Sequence, residues 1–159
     1  MTQLTIIATG GVKEKYLSDA IAEYEKRLSA FCRVETLILR EEPIKNEDNP
    51  HEIEAALARE GEAILARIPV GARVFALCIE GKQYASEELA RLVGDAVDEG
   101  GKICFIIGSS HGLDGRVKAR ADARLSFSRM TFPHQLMRVI LLEQIYRSMT
   151  ILNHGKYHK

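Results

Sequence analysis

The chain has 159 residues, with 22 Lys/Arg against 22 Asp/Glu and 46% hydrophobic residues. Zero net charge argues against a general nucleic-acid binder, and no apolar run approaches the roughly 18 residues of a membrane span. At about 100–200 residues per domain, the length predicts one domain over residues 1–159, burying about two-thirds of its unfolded surface.

Leu4–Thr9 is a short apolar run closed by Gly10 and Gly11, a strand and its turn. The start of the chain lacks the basic opening of a signal peptide. In Lys15–Ala30, Tyr16, Ala20, Ile21, Tyr24 and Leu28 recur at helical spacing, and Val34–Leu39 reads as a second strand. Glu41–His51 is acidic and holds Pro43 and Pro50, which predicts the most mobile loop. Ile53–Ile68 is a predicted helix with Ile53, Leu57, Ile64, Leu65 and Ile68 apolar. Arg73–Ile79 predicts a strand ended by Glu80-Gly81-Lys82, and Ser86 is expected to cap a helix through about Glu99. Lys102–Ile107 is a fourth strand running into Gly108, and Ala123–Ser126 a short fifth. Alternating strands and helices predict an α/β fold, a mostly parallel sheet with helices on both faces. Ligands on such sheets bind beyond the carboxyl ends of the strands.

After Pro133 comes a last helix that is apolar on nearly every side, a pattern of burial from more than one direction. Met137, Leu141, Ile145 and Leu152 form one stripe, while Leu136, Val139, Ile140 and Leu142 cover other faces. One small core is not expected to shield them all, which predicts a homodimer through this helix. The tail beyond it is dense in His, Lys and Tyr. Charge is also uneven: residues 1–110 hold 13 Lys/Arg against 19 Asp/Glu, and residues 111–159 hold 9 against 3. That excess suits a polyanion-facing side, or a surface whose signs mix on folding. Cys32, Cys78 and Cys104 form no C-x-x-C pair and read as reduced core thiols, and no cluster has metal-ligand spacing.

Gly108-Ser109-Ser110-His111-Gly112 matches G-x-S-x-G. Read literally, Ser110 is a nucleophile completed by Asp114 or Asp122 and His134 or His154, a serine hydrolase. The polar segment that follows does not suit the helix behind such a nucleophile. Read otherwise, Gly108 and Gly112 let backbone approach a ligand.

The stretches GGVKEKYLSDAIAEYEKRL, VFALCIEGK, FIIGSSHG and LSFSRMTFPHQLMRVILLEQIYRSMTI, with Tyr157-His158, resemble the RlmH family over the whole chain. These are SPOUT-superfamily methyltransferases that use S-adenosylmethionine to methylate N3 of a pseudouridine in helix 69 of 23S ribosomal RNA. The resemblance implies a homodimer with a C-terminal trefoil knot in roughly residues 73–159. It also implies a cytoplasmic enzyme acting on an assembled ribosome or large subunit, with no membrane and no metal. The implied cofactor contacts are Leu77, Gly108, Phe127, Ser128, Arg129, Met130, Thr131 and Phe132. Where the family usually has a second glycine after Gly108, this chain has Ser109, which puts that loop's geometry in question.

The attacking nitrogen begins as a weakly acidic imide N–H, so a base or a stabilising cation is needed. His134, Arg138, His154 and His158 are the candidates, and Tyr157 suits stacking on a splayed-out base. Arg138, His154, Lys156 and Lys159 suit phosphate contacts. Glu143 and Arg147, one turn apart, read more readily as a structural ion pair than as catalytic groups. A ribosome-binding module without chemistry is a further reading.

Overall fold

The computed structural model describes residues 1–157. In chain order they form β1 (Thr2–Thr9), α1 (Lys15–Leu28), β2 (Cys32–Leu39), α2 (Pro50–Leu65), β3 (Arg73–Gln83), α3 (Ser86–Asp98), β4 (Lys102–Ile107), α4 (Gly115–Arg120), β5 (Ala123–Ser126) and α5 (His134–Leu152). The strands make one sheet in the order β2-β1-β4-β3-β5, every pairing parallel.

Unbroken apolar strands follow from a sheet covered on both sides, since alternate residues must each meet a helix. On one face Leu4, Ile6, Phe75, Phe105 and Ile107 pack under α1, α3 and α5, with Phe75 and Phe105 stacked at 4.9 Å. On the other, Ile7, Val74, Cys104 and Ile106 pack with Ile64 of α2 and Val117 of α4. Burial pushes the Cys32 thiol up to about 11 and that of Cys104 to about 12, which leaves both protonated and inert.

Four local expectations are corrected. Helix α2 begins at Pro50, not Ile53, because Asn49 Oδ1 accepts from the His51 amide at 3.0 Å and proline suits the first helical position. Helix α3 is capped from Ala85, whose amide donates to Glu88 at 2.8 Å; Ser86 instead donates to Gln144 of α5 at 2.9 Å. Strand β3 does not stop at Ile79. It bulges, so that Leu125 pairs first with Leu77 and then with Lys82. Gly81 permits this, because a Cβ there would lie 2.8 Å from the Arg124 backbone. The short α4 was not expected, its six residues being too few to show a period.

Candidate cofactor and substrate site

The strand order sets β4, β3 and β5 side by side, so their carboxyl ends open onto one edge. Leu77 is in register with Leu125, and Ala76 with Ile106. The predicted cofactor segments are therefore neighbours at this edge: Leu77 where β3 begins to bulge, Gly108 as the chain leaves β4, and the run from Phe127 to Phe132 as it leaves β5. A Cβ on Gly108 would lie 2.3 Å from the Gly112 carbonyl oxygen, so this loop closes tightly on itself. Gly112, at φ +95°, donates to Ser109 O at 2.9 Å to complete the turn. Beyond β5, Ser126 Oγ donates to Ser128 O at 3.1 Å and Ser128 Oγ accepts from the Met130 amide at 3.0 Å. Phe127 packs against the core, Phe132 is half-buried, and Arg129, Met130 and Thr131 stand exposed.

Ser109 adopts no left-handed backbone, so the question raised by the missing glycine is answered by geometry. Its side chain is buried. The hydrolase constellation does not assemble. Ser110 Oγ donates to Glu41 at 3.4 Å, His111 lies 3.7 Å from Glu47, and Asp114 pairs with Arg116 at 2.7 Å. Asp122 accepts from the Val74 amide at 2.7 Å.

The remaining candidates lie along α5 and its tail. His134 opens the helix and is half-buried over Gly10, lining a cavity of about 630 Å³ with Lys13, Arg40, Glu41 and Gln135. Arg138 is only 7% exposed. Burial lowers its guanidinium from the ordinary value, against the pull of Glu25 on α1. His154 is exposed at φ +57° in a helix-ending turn, with His154 N–H donating to Ile151 O and Gly155 N–H to Thr150 O. This turn folds the tail back. Tyr157 donates to Glu143 Oε1 at 2.9 Å, the oxygen that Arg147 also reaches at 2.8 Å, and its ring meets Tyr146 and the Arg147 guanidinium. Burial first, then the bond to Glu143, push the Tyr157 hydroxyl up to about 12. His158 and Lys159 lie outside the described residues.

The structure thus brings together the three segments predicted to contact the cofactor, and separately a Glu143–Arg147–Tyr157 group; it turns His154 to solvent. The sequence reading paired Glu143 with Arg147, as found, but not with Tyr157, because nothing local announces a tail folding back. It also passed over Glu60, although a signal existed: Ala56, Glu60 and Ile64 share one helical stripe, so a carboxylate stands on a buried face.

The family model described as "Predicted SPOUT methyltransferase" matches residues 2–158. The chain belongs to the SPOUT methyltransferase family. Enzymes of this family take their methyl group from S-adenosylmethionine. Among its relatives, a protein of Clostridioides difficile named ribosomal RNA large subunit methyltransferase H is 49% identical over 98% of this chain and 99% of its own. Another of that name from Carboxydothermus hydrogenoformans is 47% identical over 99% of each. The fold is shared by a probable methyltransferase from Bordetella pertussis (TM-score 0.55, 14% identity, 93% of this chain and 96% of that one). It is shared too by the SpoU methyltransferase AviRb of Streptomyces viridochromogenes, solved in complex with AdoMet (TM-score 0.50, 12% identity, 98% and 60%). Among the described residues of this SPOUT methyltransferase, no helix is long and apolar enough to cross a membrane and no cluster could hold a metal.

Proposed function

We propose that this chain methylates N3 of a pseudouridine in helix 69 of 23S ribosomal RNA, in the assembled ribosome or the large subunit, as a cytoplasmic homodimer. Its single domain, residues 1–159, would be knotted from about residue 73 onward. The observation that carries the reading is near-complete alignment with proteins named for methylation of large-subunit ribosomal RNA.

S-adenosylmethionine, when bound, supplies an activated methyl group, so the protein's task is alignment. Leu77 and Phe127 would hold the adenosyl group on apolar walls, while Gly108 and the 128–132 backbone would meet its polar edges. Arg147 stays cationic, held by Glu143, and suits stabilising negative charge on the base once its N3 proton leaves. Tyr157 offers a ring and a hydroxyl beside that cation. Glu143 accepts from Tyr157, Arg147 and Gln144, an arrangement for orienting donors. His134 and His158 stay candidate bases, while the burial of Arg138 speaks against a direct phosphate contact in this conformation.

The dimer reading now rests on fewer residues. Leu141, Leu142, Ile145 and Met149 are covered within one protomer, against the expectation that a single core could not shield them. Leu136, Met137 and Ile140 on α5 and the exposed Met130 remain for a partner. The test is incorporation of tritiated methyl groups into ribosomes from cells lacking this modification. The product should map to the helix 69 pseudouridine, and absence of label there would refute the proposal.

A further inference from the structure

We propose that the cavity at the carboxyl ends of β1 and β2 binds an unpaired nucleotide of the RNA substrate, one that neighbours the methylated base. The proposal rests on the reading of this chain as an RNA methyltransferase. The cavity measures about 630 Å³, within the roughly 300–1,000 Å³ typical of ligand sites. Gly10 lines it, and the Gly10 amide donates to Leu39 O at 2.8 Å, which joins the two strand exits. Gly10 sits at φ +89°, and a Cβ there would lie 3.3 Å from Glu41 Oε2 and 3.6 Å from His134 Nε2. A carboxylate and an imidazole therefore converge over bare backbone. Gln135 Oε1 accepts from the Lys13 amide at 3.2 Å, which fastens the β1–α1 loop to the start of α5 across 122 positions of sequence.

The lining matches a nucleotide part by part. Lys13 and Arg40 are exposed cations, and among the described residues neither belongs to an ion pair, so both are available to a phosphate. Ile38 is 47% exposed although its sheet partner Ala8 is buried, and it offers an apolar wall to the face of a base. The Gln135 NH2 can donate to a base carbonyl, and the Glu41 carboxylate can accept from a ribose 2′-hydroxyl, the group that separates RNA from DNA. A carboxylate set beside two cations suits a nucleotide better than a bare phosphate. Position then favours a neighbour of the target base. Strand β1 pairs with β4 as far as Ala8–Ile107, and adjacent strands lie about 4.8 Å apart, so Gly10 and the loop from Gly108 leave one edge side by side. Glu41 Oε1 accepts from Ser110 of that loop at 3.4 Å, while Oε2 stands over Gly10. The cavity thus adjoins the segments predicted to contact the cofactor and includes none of them.

The test titrates isotope-labelled protein with uridylyl-uridine, adenylyl-adenosine, their deoxy counterparts and inorganic phosphate, and follows amide NMR shifts. At least one ribonucleotide should shift the amides of Gly10, Gly11, Arg40, Glu41 and Gln135, with its deoxy form several-fold weaker. In the double variant Lys13→Ala with Arg40→Ala, the rest of the spectrum should persist and binding should weaken about tenfold, the scale of lost charge-assisted contacts. Glu41→Ala should bring ribose and deoxyribose forms within about twofold of each other. With ribosomes, the double variant should raise KM by about tenfold and flatten its salt dependence, leaving kcat and S-adenosylmethionine affinity near wild type. Lys13→Arg with Arg40→Lys should restore KM to within about threefold. Absence of shifts at these amides with both dinucleotides, equal affinity in the double variant, or an unchanged ribosome KM would overturn the proposal. Inorganic phosphate binding as tightly as the dinucleotides would overturn it too, leaving a simple anion site. Dinucleotide binding here with no methyl transfer to ribosomes would instead overturn the proposed function and leave this site standing.

Discussion

Tyr157 donates to Glu143 Oε1 across 2.9 Å although fourteen residues separate the two. The bond is possible because α5 ends in a turn that reverses the chain, and it sets an aromatic ring against the Arg147 guanidinium, 4.7 Å from centroid to carbon. A segment that normally frays is thereby anchored to the helix.

Tyr157→Phe keeps the ring contacts and removes only the hydroxyl. Methyl transfer to ribosomes is expected to fall about tenfold, the scale of one lost charge-assisted hydrogen bond, with S-adenosylmethionine affinity unchanged. Deleting residues 155–159 should lower transfer by orders of magnitude while leaving the fold intact. Wild-type rates in both variants would assign the tail no part in the reaction.

His154 holds a left-handed conformation that costs an ordinary side chain roughly 1 kcal/mol. His154→Gly should therefore raise stability by about that amount. Activity should persist, since the imidazole points to solvent. A more stable but inactive variant would return His154 to the list of candidate bases.

Elements were legible where burial repeats a period. The runs in β1 and β4 and the stripe of α1 announce themselves, and each appears within two residues of its expected bounds. Strand β3 was misjudged at Glu80-Gly81-Lys82 because a bulge uses the same residues as a turn, and only the passage of β5 distinguishes them. Strand order was not legible at all: β1 pairs with β4, whose residues lie about 100 positions on. For the site, the three predicted cofactor segments came from resemblance, since nothing in Leu77 or Met130 alone signals a ligand. The Glu143–Tyr157 contact required a tail geometry that no spacing encodes.

The last helix offers two kinds of apolar residue with opposite outcomes. Ile145 is fully buried inside the protomer, so Ile145→Ala should cost about 2–5 kcal/mol at any protein concentration. Leu136 is 36% exposed on the outer side, so Leu136→Asp should leave the protomer folded and dissociate the dimer. Analytical ultracentrifugation at micromolar concentration separates the two. A wild-type monomer under those conditions would remove the dimer from the proposed function.

At the β4 exit, Ser110→Ala should leave methyl transfer within about twofold, because the hydroxyl makes only a long contact to Glu41. Gly108→Val should abolish cofactor binding, since its side chain must occupy the space of the Gly112 carbonyl. Loss of activity in Ser110→Ala with cofactor binding retained would reopen a chemical role for this serine.

Glu60 also makes a prediction about pH. Burial holds its carboxyl above the ordinary range, with repulsion from Glu41 and Glu42 adding to the rise and the Glu42 amide and Ser109 hydroxyl opposing it. In the unfolded chain the group returns to the ordinary value, so between the two values the folded protein binds more protons. Its contribution to stability is complete below the ordinary carboxylate range and is lost as pH rises through the raised folded value. Glu60→Gln cannot titrate and escapes this loss. The melting temperature of Glu60→Gln should therefore gain on wild type as pH rises from about 4 to 7, and the gap should close in acid. Thermal unfolding of both proteins across that range decides it. A gap that widened toward acid would mean that the Glu60 carboxylate stabilises the fold, and that its burial is compensated by more than these two donors.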